Sequence, residues 1–412
     1  MNIQTQRRID AWVGPFLCGL VSLWHSCLGR RSTSGQPIQK VLVIMLSEMG
    51  SMVLAGPMFA RIRHNHPGAE IHILQLKKNQ SVARLLGLAP ETHLHGIDDS
   101  GLFSLLLGLV KVLWRLRRLK LDAVIDCELF SRISALLAYG SGARLLAGFT
   151  PHTQEGLYRG SFFNAAIPYN PYRHISLQFI ALVDGLQSNS VPRTKALPVT
   201  LKPQESGLQV HFSEGDMAGF TRDLHRDHPL FMSAKKRILF YAGGGLLPIR
   251  AWPAAHYAEL AKGLCEQGHA VGIIGLPEDQ ALAQAIQAAC DHPNCLDFVG
   301  YTKNLEALIR LFFHSDLLVA NDGGPGHFAS LTPIRTLMFF GPETSALYGP
   351  LTPRAMALDS QAACSPCLTA YNHRDTPCDG DNQCLQRIQP AQVLSVALTQ
   401  LEMCEPRDPA YA

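Results

Sequence analysis

An aspartate, three glycines, a proline and a histidine form the string Asp-Gly-Gly-Pro-Gly-His at 322–327. An apolar run at 317–320 precedes it and predicts a buried strand, and the residues from His327 onwards predict the first turns of a helix. A strand that enters a helix through a tight turn leaves backbone N–H groups free at the helix start, where the helix dipole also favours a phosphate. Because glycines let a ligand approach the backbone, the string predicts a phosphate site at Gly323, Gly324 and the helix start.

A second turn of the same kind follows close behind. The apolar run 336–340 predicts another strand, and that strand ends at Gly341, Pro342 and Glu343. Two strand ends with such turns side by side can form the wall of a pocket for a nucleotide diphosphate.

The whole string from Asp322 to Pro350 resembles the donor-site signature of the lipopolysaccharide heptosyltransferases, which are the inverting glycosyltransferases of family 9. The matching residues are Asp322-Gly-Gly-Pro-Gly-His327, Ala329, Thr332-Pro333, Phe340-Gly341-Pro342 and Tyr348-Gly349-Pro350. A lone glycine-rich turn occurs in many α/β proteins, whereas the complete string is far more specific. The resemblance implies the GT-B architecture, in which two Rossmann-like domains face each other across a cleft, and a nucleotide-diphosphate sugar as donor. It also implies a donor-site role for His327, to which a helix-capping or core histidine is the alternative.

A segment near residue 250 is similar to another part of the same family. Arg250-Ala-Trp-Pro253 matches the family's basic-x-Trp-Pro segment. The resemblance implies that Arg250 meets the donor's phosphates, for which a guanidinium fork is well suited. The alternative is a solvated loop arginine at a helix start. Further along, Glu278 follows a predicted strand at 270–274 and could accept hydrogen bonds from ribose hydroxyls, or act only as a charge at a helix N-terminus.

The first predicted strand, at 40–46, leads into a turn that departs from the family pattern. Family members carry Gly-Asp after this strand, and that aspartate is the proposed catalytic base. Here the matching residue is Ser51, and a serine hydroxyl is a poor base at neutral pH without an activating partner. Glu48 is the carboxylate in the same loop, so it is the candidate base; the alternative is a surface loop charge.

Length and composition predict two domains. A chain of 412 residues exceeds the usual size of one core, and 47% hydrophobic residues are enough for two. Apolar runs alternate with helical stretches and predict two doubly wound α/β domains; the runs lie at 41–46, 71–76, 123–125, 144–149, 238–241, 271–274, 317–320 and 337–340. The predicted order is an N-terminal membrane-surface segment, an acceptor-side domain, a linker, a donor-binding domain with a cysteine-rich end, and a tail, at 1–36, 37–190, 191–209, 210–400 and 401–412.

Two segments predict contact with a membrane surface, whereas a net charge of only +3 argues against nucleic acid as a partner. No charged residue lies between Asp10 and Arg30, and helical spacing places small and polar side chains on one face and tryptophan, phenylalanine and leucine on the others. This pattern favours a helix in the membrane interface; a short transmembrane span and a helix packed on the domain are the alternatives. The basic, apolar run 102–120 could also meet anionic lipid, although an ordinary core helix is favoured there.

Cysteines cluster near the C-terminus, where zinc, an iron–sulfur cluster, disulfides and free thiols all fit the pattern. We expect a structural role for the four, which are Cys364, Cys367, Cys378 and Cys384. No metal ligand and no cofactor are predicted for the reaction itself, because arginine and backbone dipoles can neutralise a leaving diphosphate.

The function implied by these features is inverting transfer of a sugar, a heptose or a related one, from a nucleotide-diphosphate sugar to a lipid-linked or lipopolysaccharide-type acceptor at the inner face of the cytoplasmic membrane. Two alternatives stay open. A nucleotide-sugar-binding or scaffold protein of the same fold could have lost the base, as Ser51 suggests, and a nucleotide-sugar epimerase would share the two-domain architecture.

Overall fold

The computed structural model describes residues 3–28, 36–46, 49–129, 131–150, 158–187, 206–245, 247–369, 376, 378 and 381–404. The chain divides into two compact units, one that runs to Gly207 and one that begins at Leu208. The predicted linker at 191–209 lies outside the described residues except for its last four, and Glu48 lies outside them as well.

The described residues of the first unit form a six-stranded parallel sheet in the order β3-β2-β1-β4-β5-β6. Its strands are β1 (Lys40–Ile44), β2 (Glu70–Leu76), β3 (Leu94–Ile97), β4 (Ala123–Asp126), β5 (Leu145–Thr150) and β6 (Ala165–Pro168). Its helices are α1 (Ile3–Leu28), α2 (Met49–Leu54), α3 (Gly56–Asn65), α4 (Gln80–Leu85), α5 (Leu102–Leu119), α6 (Arg132–Gly140) and α7 (Ile175–Gly185).

The second unit repeats this plan, with a parallel sheet in the order β12-β11-β10-β7-β8-β9 among its described residues. Its strands are β7 (Arg237–Tyr241), β8 (Ala270–Gly275), β9 (Cys295–Val299), β10 (Leu317–Asn321), β11 (Arg335–Phe340) and β12 (Ala355–Asp359). Its helices are α8 (Glu214–Asp227), α9 (Pro229–Ser233), α10 (Ala254–Cys265), α11 (Gln280–Cys290), α12 (Leu305–Phe313), α13 (Gly324–Ala329), α14 (Ser345–Tyr348), α15 (Gln383–Gln386) and α16 (Pro390–Glu402).

Both sheets have the same connectivity, since the order 3-2-1-4-5-6 read along each unit is that of a doubly wound Rossmann fold. The prediction of an α/β protein with two Rossmann-like units is therefore confirmed. The central strands are buried on both faces and read as continuous apolar runs, which is why they could be predicted. The four strands at the sheet edges were not predicted: β3, β6 and β9 mix buried and partly exposed positions, and every position of β12 is partly or fully exposed.

The N-terminal helix α1 packs on the first unit through its polar face. Asp10 accepts hydrogen bonds from the backbone N–H groups of Arg132 (3.0 Å) and Ile133 (2.9 Å) at the start of α6. Gly14 lies against the Arg132 side chain, where a Cβ would come within 2.5 Å of it. The Ser22 hydroxyl accepts from Tyr158 Oη at 2.9 Å. Packing on the domain, one of the predicted alternatives, is thus what the described part of this segment does.

The opposite faces of α1 stay exposed and apolar, as expected for an interfacial helix. Trp12 is 83% exposed and Trp24 is 63% exposed. Helix α5 has a similar exposed face around Phe103, Val110 and Trp114, while Val112 and Leu116 on its other side enter the core. In the part of the chain that is described, neither these nor any other helix combines the length and hydrophobicity that crossing a bilayer requires.

Candidate functional site

In the second unit, the Asn321 side chain joins the end of β10 to helix α10 and to the connection between β7 and α10, at the carboxyl end of the sheet. Its side-chain amide donates to the carbonyl oxygens of Ala242 (2.8 Å) and Gly243 (3.1 Å), which follow β7. Its amide oxygen accepts from the backbone N–H of Trp252 at 2.9 Å and from Tyr257 Oη at 3.1 Å. Because β7 and β10 are neighbours at the point where the strand order reverses, these bonds fix the crevice where doubly wound sheets bind ligands.

Arg250 is held at this crevice by two carboxylates. Its Nε lies 3.3 Å from Asp322 Oδ2, and its Nη2 donates to Glu343 Oε1 at 3.2 Å. Both acids are buried, and each directly follows a strand or its turn, β10 for Asp322 and β11 for Glu343. Arg250 is therefore not the freely solvated loop arginine of the alternative interpretation. Its Nη1 has no hydrogen-bond partner within the described part of the protein, so the N–H groups of that atom can serve a ligand.

The glycine turn and His327 lie beside this ion pair. Helix α13 begins at Gly324, with Pro325 in its first turn, so it starts three residues earlier than the sequence predicted. His327 is buried, and Gly326 packs so closely on Met338 that a Cβ would lie 2.7 Å from its sulfur. Gly324 has more room, since a Cβ there would meet only Phe328, at 3.3 Å.

The carboxylate that turns inward after β8 is Asp279, the neighbour of Glu278. Glu278 is exposed, in a short turn at Pro277–Asp279. Asp279 accepts from the backbone N–H of Leu276 at 2.9 Å and lies where a Cβ on Gly243 would come within 2.6 Å of its Oδ1. Burial, with Asp279 nearby, raises the pKa of the Tyr241 hydroxyl to about 12. Asp279 thus joins the ends of β7 and β8, a role that the sequence analysis did not foresee.

The corresponding crevice of the first unit lies between β1 and β4. Ser51 lies in α2 and is buried. A carboxylate that the sequence analysis missed, Glu128, comes from the end of β4, and its Oε1 accepts from the backbone N–H of Leu46 at 2.6 Å. Glu128 therefore reaches the loop that carries Glu48, although it is distant in sequence. The signal that could have found it is its position two residues beyond an apolar strand.

A buried ion pair fixes the backbone from which Glu128 projects. Asp126 accepts hydrogen bonds from the Arg159 guanidinium, from Ser134 Oγ (2.9 Å) and from the backbone N–H of Glu128 (3.1 Å). Arg159 also donates to the carbonyl oxygen of Phe149, at 3.0 Å. Because Asp126 and Arg159 are both buried, removing either would leave an uncompensated charge inside the unit. We assign a structural role to the Asp126–Arg159 ion pair.

All eleven cysteines are free thiols. Four of them, Cys364, Cys367, Cys378 and Cys384, lie near one another. Burial raises the pKa of Cys367 and of Cys384, and the neighbouring thiols add to the rise. Cys384 also touches Gly341 at the end of β11, since a Cβ on that glycine would lie 3.0 Å from its sulfur.

Two Rossmann-like units, the second with a glycine turn and a clamped guanidinium where its strand order reverses, are the parts expected of a GT-B glycosyltransferase. A family model described as glycosyltransferase family 9 (heptosyltransferase) matches residues 109–376. That stretch is more than half of the chain, and the protein belongs to glycosyltransferase family 9.

Individual relatives agree with this assignment. Lipooligosaccharide heptosyltransferase 2 of Haemophilus ducreyi is 22% identical over 325 residues, which cover 77% of this chain and 88% of that protein. The enzyme of the same name from Haemophilus influenzae is 26% identical over 191 residues. This match covers 46% of the present chain and only 51% of the Haemophilus influenzae protein. Among solved structures, Escherichia coli ADP-heptose lps heptosyltransferase II has a TM-score of 0.67 at 22% identity, covering 88% of this chain and 99% of that one. This last likeness shows the shared fold.

Proposed function

We propose that this glycosyltransferase moves a heptose or a related sugar from an ADP-sugar to a lipopolysaccharide-type acceptor, with inversion at the anomeric carbon. The names of its relatives, lipooligosaccharide heptosyltransferase 2 and ADP-heptose lps heptosyltransferase II, support the sugar, the nucleotide and the acceptor. The observation that carries the proposal is Arg250, clamped by Asp322 and Glu343 with one nitrogen left for a ligand.

On the donor side, the clamp places a fixed positive charge where the leaving diphosphate develops negative charge. Because Asp322 and Glu343 already hold the guanidinium, little reorganisation is needed when the donor binds, and preorganised charge is what stabilises a transition state. The Gly323–Gly324 turn lets the diphosphate approach the backbone. His327 and Pro325 complete the proposed donor wall. Glu278 remains a proposed ribose ligand, since its exposed side chain follows β8.

On the acceptor side, a base must remove a proton from the attacking hydroxyl. Ser51 occupies the position of the family aspartate, so we assign the base to a carboxylate of the adjacent loop, with Glu48 as first candidate and Glu128 as its rival. The scheme uses no metal and no cofactor of the protein's own.

The deciding experiment incubates the purified protein with ADP-heptose and a lipopolysaccharide acceptor that lacks heptose. We expect ADP release, a product heavier by one heptose in mass spectrometry, and an inverted anomeric configuration by NMR. Unchanged donor in the presence of tight ADP binding would favour the binding or scaffold protein. An isomerised ADP-sugar would favour the epimerase.

Gly324→Val should weaken ADP binding by about 10-fold or more while the protein stays folded, because a branched side chain blocks backbone approach by the diphosphate. Calorimetric titration with ADP measures the affinity, and thermal unfolding reports the fold. The matched control is Gly219→Val on α8, where the only atom within 4 Å of a new Cβ belongs to Arg222. Equal ADP affinity of Gly324→Val and wild type would remove the glycine turn from the phosphate site.

We assign membrane-surface binding, at the inner face of the cytoplasmic membrane, to the exposed faces of α1 and α5. Both helices contact α6, so both lie on one side of the first sheet. Their exposed apolar side chains are accompanied by the exposed basic residues Lys111, Arg115, Arg117 and Arg118. Apolar area beside basic groups is what an anionic lipid surface binds.

The double variant Trp12→Gln/Trp24→Gln should lose at least about 10-fold in affinity for vesicles with anionic lipid, since each buried aromatic contributes roughly 1.5–3 kcal/mol. Vesicle co-sedimentation measures it. Leu230→Gln in the second unit removes another exposed apolar side chain and should have no effect. Equal sedimentation of the double variant and wild type would contradict the proposed surface.

A further inference from the structure

Three potential metal ligands meet at the amino-terminal end of β2 in the first unit. Glu70, His72 and His93 each offer one donor atom, and these three atoms lie within 4.8 Å of one another. Glu70 and His72 are two residues apart on β2, so they share one face of the strand. His93 comes from the short turn Glu91–His93 that leads into β3, the neighbouring strand.

The His72 ring is oriented as a metal ligand would be. His72 is only 2% exposed, and its Nε2 faces Glu70 Oε2 at 3.7 Å, which is too far for a hydrogen bond. That Nε2 is buried and makes no hydrogen bond to the described residues. Its other nitrogen, Nδ1, lies 3.2 Å from His95 Nε2. A second group that holds the far nitrogen of a histidine is the usual outer support of a metal-bound imidazole.

His93 has the same kind of support. Its Nδ1 lies 3.3 Å from the carbonyl oxygen of Ile71, and a carbonyl can only accept, so Nδ1 carries the proton. The lone pair of the neutral ring is then on Nε2.

One cation already competes for this position. Lys40 Nζ lies 3.3 Å from Glu70 Oε2, and Lys40 is paired with Glu70 in the register of β1 and β2. The Lys40 side chain is 36% exposed, so its ammonium group can turn into solvent when another cation binds. A bound ion would also satisfy the buried Nε2 of His72, which the ammonium group does not.

We propose that Glu70, His72 and His93 form a binding site for a divalent transition-metal ion such as Zn²⁺. Two imidazoles and one carboxylate are ligands that such ions accept, and the exposed side of Glu70 leaves a fourth position for water. A bound metal ion would cross-link the start of β2 to the turn before β3. The site is independent of the proposed transfer reaction, since its ligands are at the opposite ends of the strands from the carboxyl-end crevice of this unit.

The test is titration of the chelator-treated, full-length protein with Zn²⁺, followed by calorimetry. Glu70→Gln and His93→Gln, which alter partly exposed side chains, should each lower the Zn²⁺ affinity of one class of binding site by about 10-fold or more. Lys40→Met should strengthen the same class of site, because it removes the competing ammonium group. Glu91→Gln is the matched control: this exposed neighbour pairs with Arg84 and should leave Zn²⁺ affinity unchanged.

Thiols elsewhere in the chain could also take Zn²⁺, so Co²⁺ is used as a second probe. Cobalt bound by thiolates gives an intense ultraviolet charge-transfer band, whereas imidazole and carboxylate ligands give only weak visible bands. The visible bands that are not accompanied by a thiolate charge-transfer band should disappear in the Glu70→Gln/His93→Gln double variant, whereas any thiolate-bound cobalt should be unchanged. If this double variant binds as much Zn²⁺ as wild type with the same affinity, or if Lys40→Met binds it more weakly, the proposed site is wrong.

Discussion

Arg250→Met is expected to lower sugar transfer by about 10²–10³-fold, the usual loss when a preorganised charge opposite a transition state is removed. It should also lower the free energy of unfolding by about 3 kcal/mol, because Asp322 and Glu343 lose the cation that they share in a buried environment. Turnover is measured as ADP release and stability by urea unfolding.

The two effects can be separated with a second substitution. Arg250→Met/Glu343→Gln removes the cation and one of the two negative charges, so it should recover part of the lost stability but none of the lost activity. If the stability loss came from packing alone, the double variant would be no more stable than Arg250→Met.

Arg335→Met is the matched control, because this half-buried arginine of the same unit donates to a neutral partner, Gln400, at 2.9 Å. The Arg335→Met variant should transfer sugar at the wild-type rate. Wild-type turnover and ADP affinity in Arg250→Met would contradict the donor-site assignment.

In each sheet, the strands on either side of the point where the strand order reverses could be predicted from sequence, because they are buried on both faces. The strand Leu317–Asn321, whose first four residues are apolar, has no solvent-facing position to break this pattern. Edge strands such as Ala355–Asp359 alternate less clearly, since one side and one edge meet solvent. The glycine turn at 323–326 was also visible in the sequence, although none of its glycines has a positive φ; Gly326 is needed instead because it packs closely on Met338.

The partners of the site residues could not be predicted, since they are set by strand order rather than by local pattern. Glu343 is 93 positions away from Arg250, and nothing near Arg250 in the sequence points to it. Likewise, Glu278 and Asp279 are neighbouring carboxylates that the sequence cannot tell apart. Only the geometry of the turn at Pro277–Asp279 directs Asp279, and not Glu278, towards the loop after β7. A sequence motif thus locates a site but leaves its charge pairing open.

Glu48→Gln is expected to lower turnover by about 10²-fold or more while ADP affinity stays near that of wild type. The substitution keeps the shape of the side chain and removes its basicity, so a loss of ADP binding would instead indicate a disturbed fold. Ser51→Asp is the companion variant, since it restores the residue type that the family uses at that position. In the Glu48→Gln background it should recover part of the lost turnover.

Glu128→Gln is the variant that decides between the two carboxylates. Glu128 accepts the backbone N–H of Leu46, and a glutamine oxygen can accept the same hydrogen bond, so the loop should keep its position. If Glu128 only supports the loop, Glu128→Gln should retain turnover within about 3-fold. The hydrogen bond from Leu46 is kept, and exchanging a charged acceptor for a neutral one costs little. Loss of turnover in Glu128→Gln together with wild-type turnover in Glu48→Gln would reverse the assignment. In that case the base comes from the end of β4, two residues beyond a buried Asp126 whose ion pair with Arg159 holds its backbone in place.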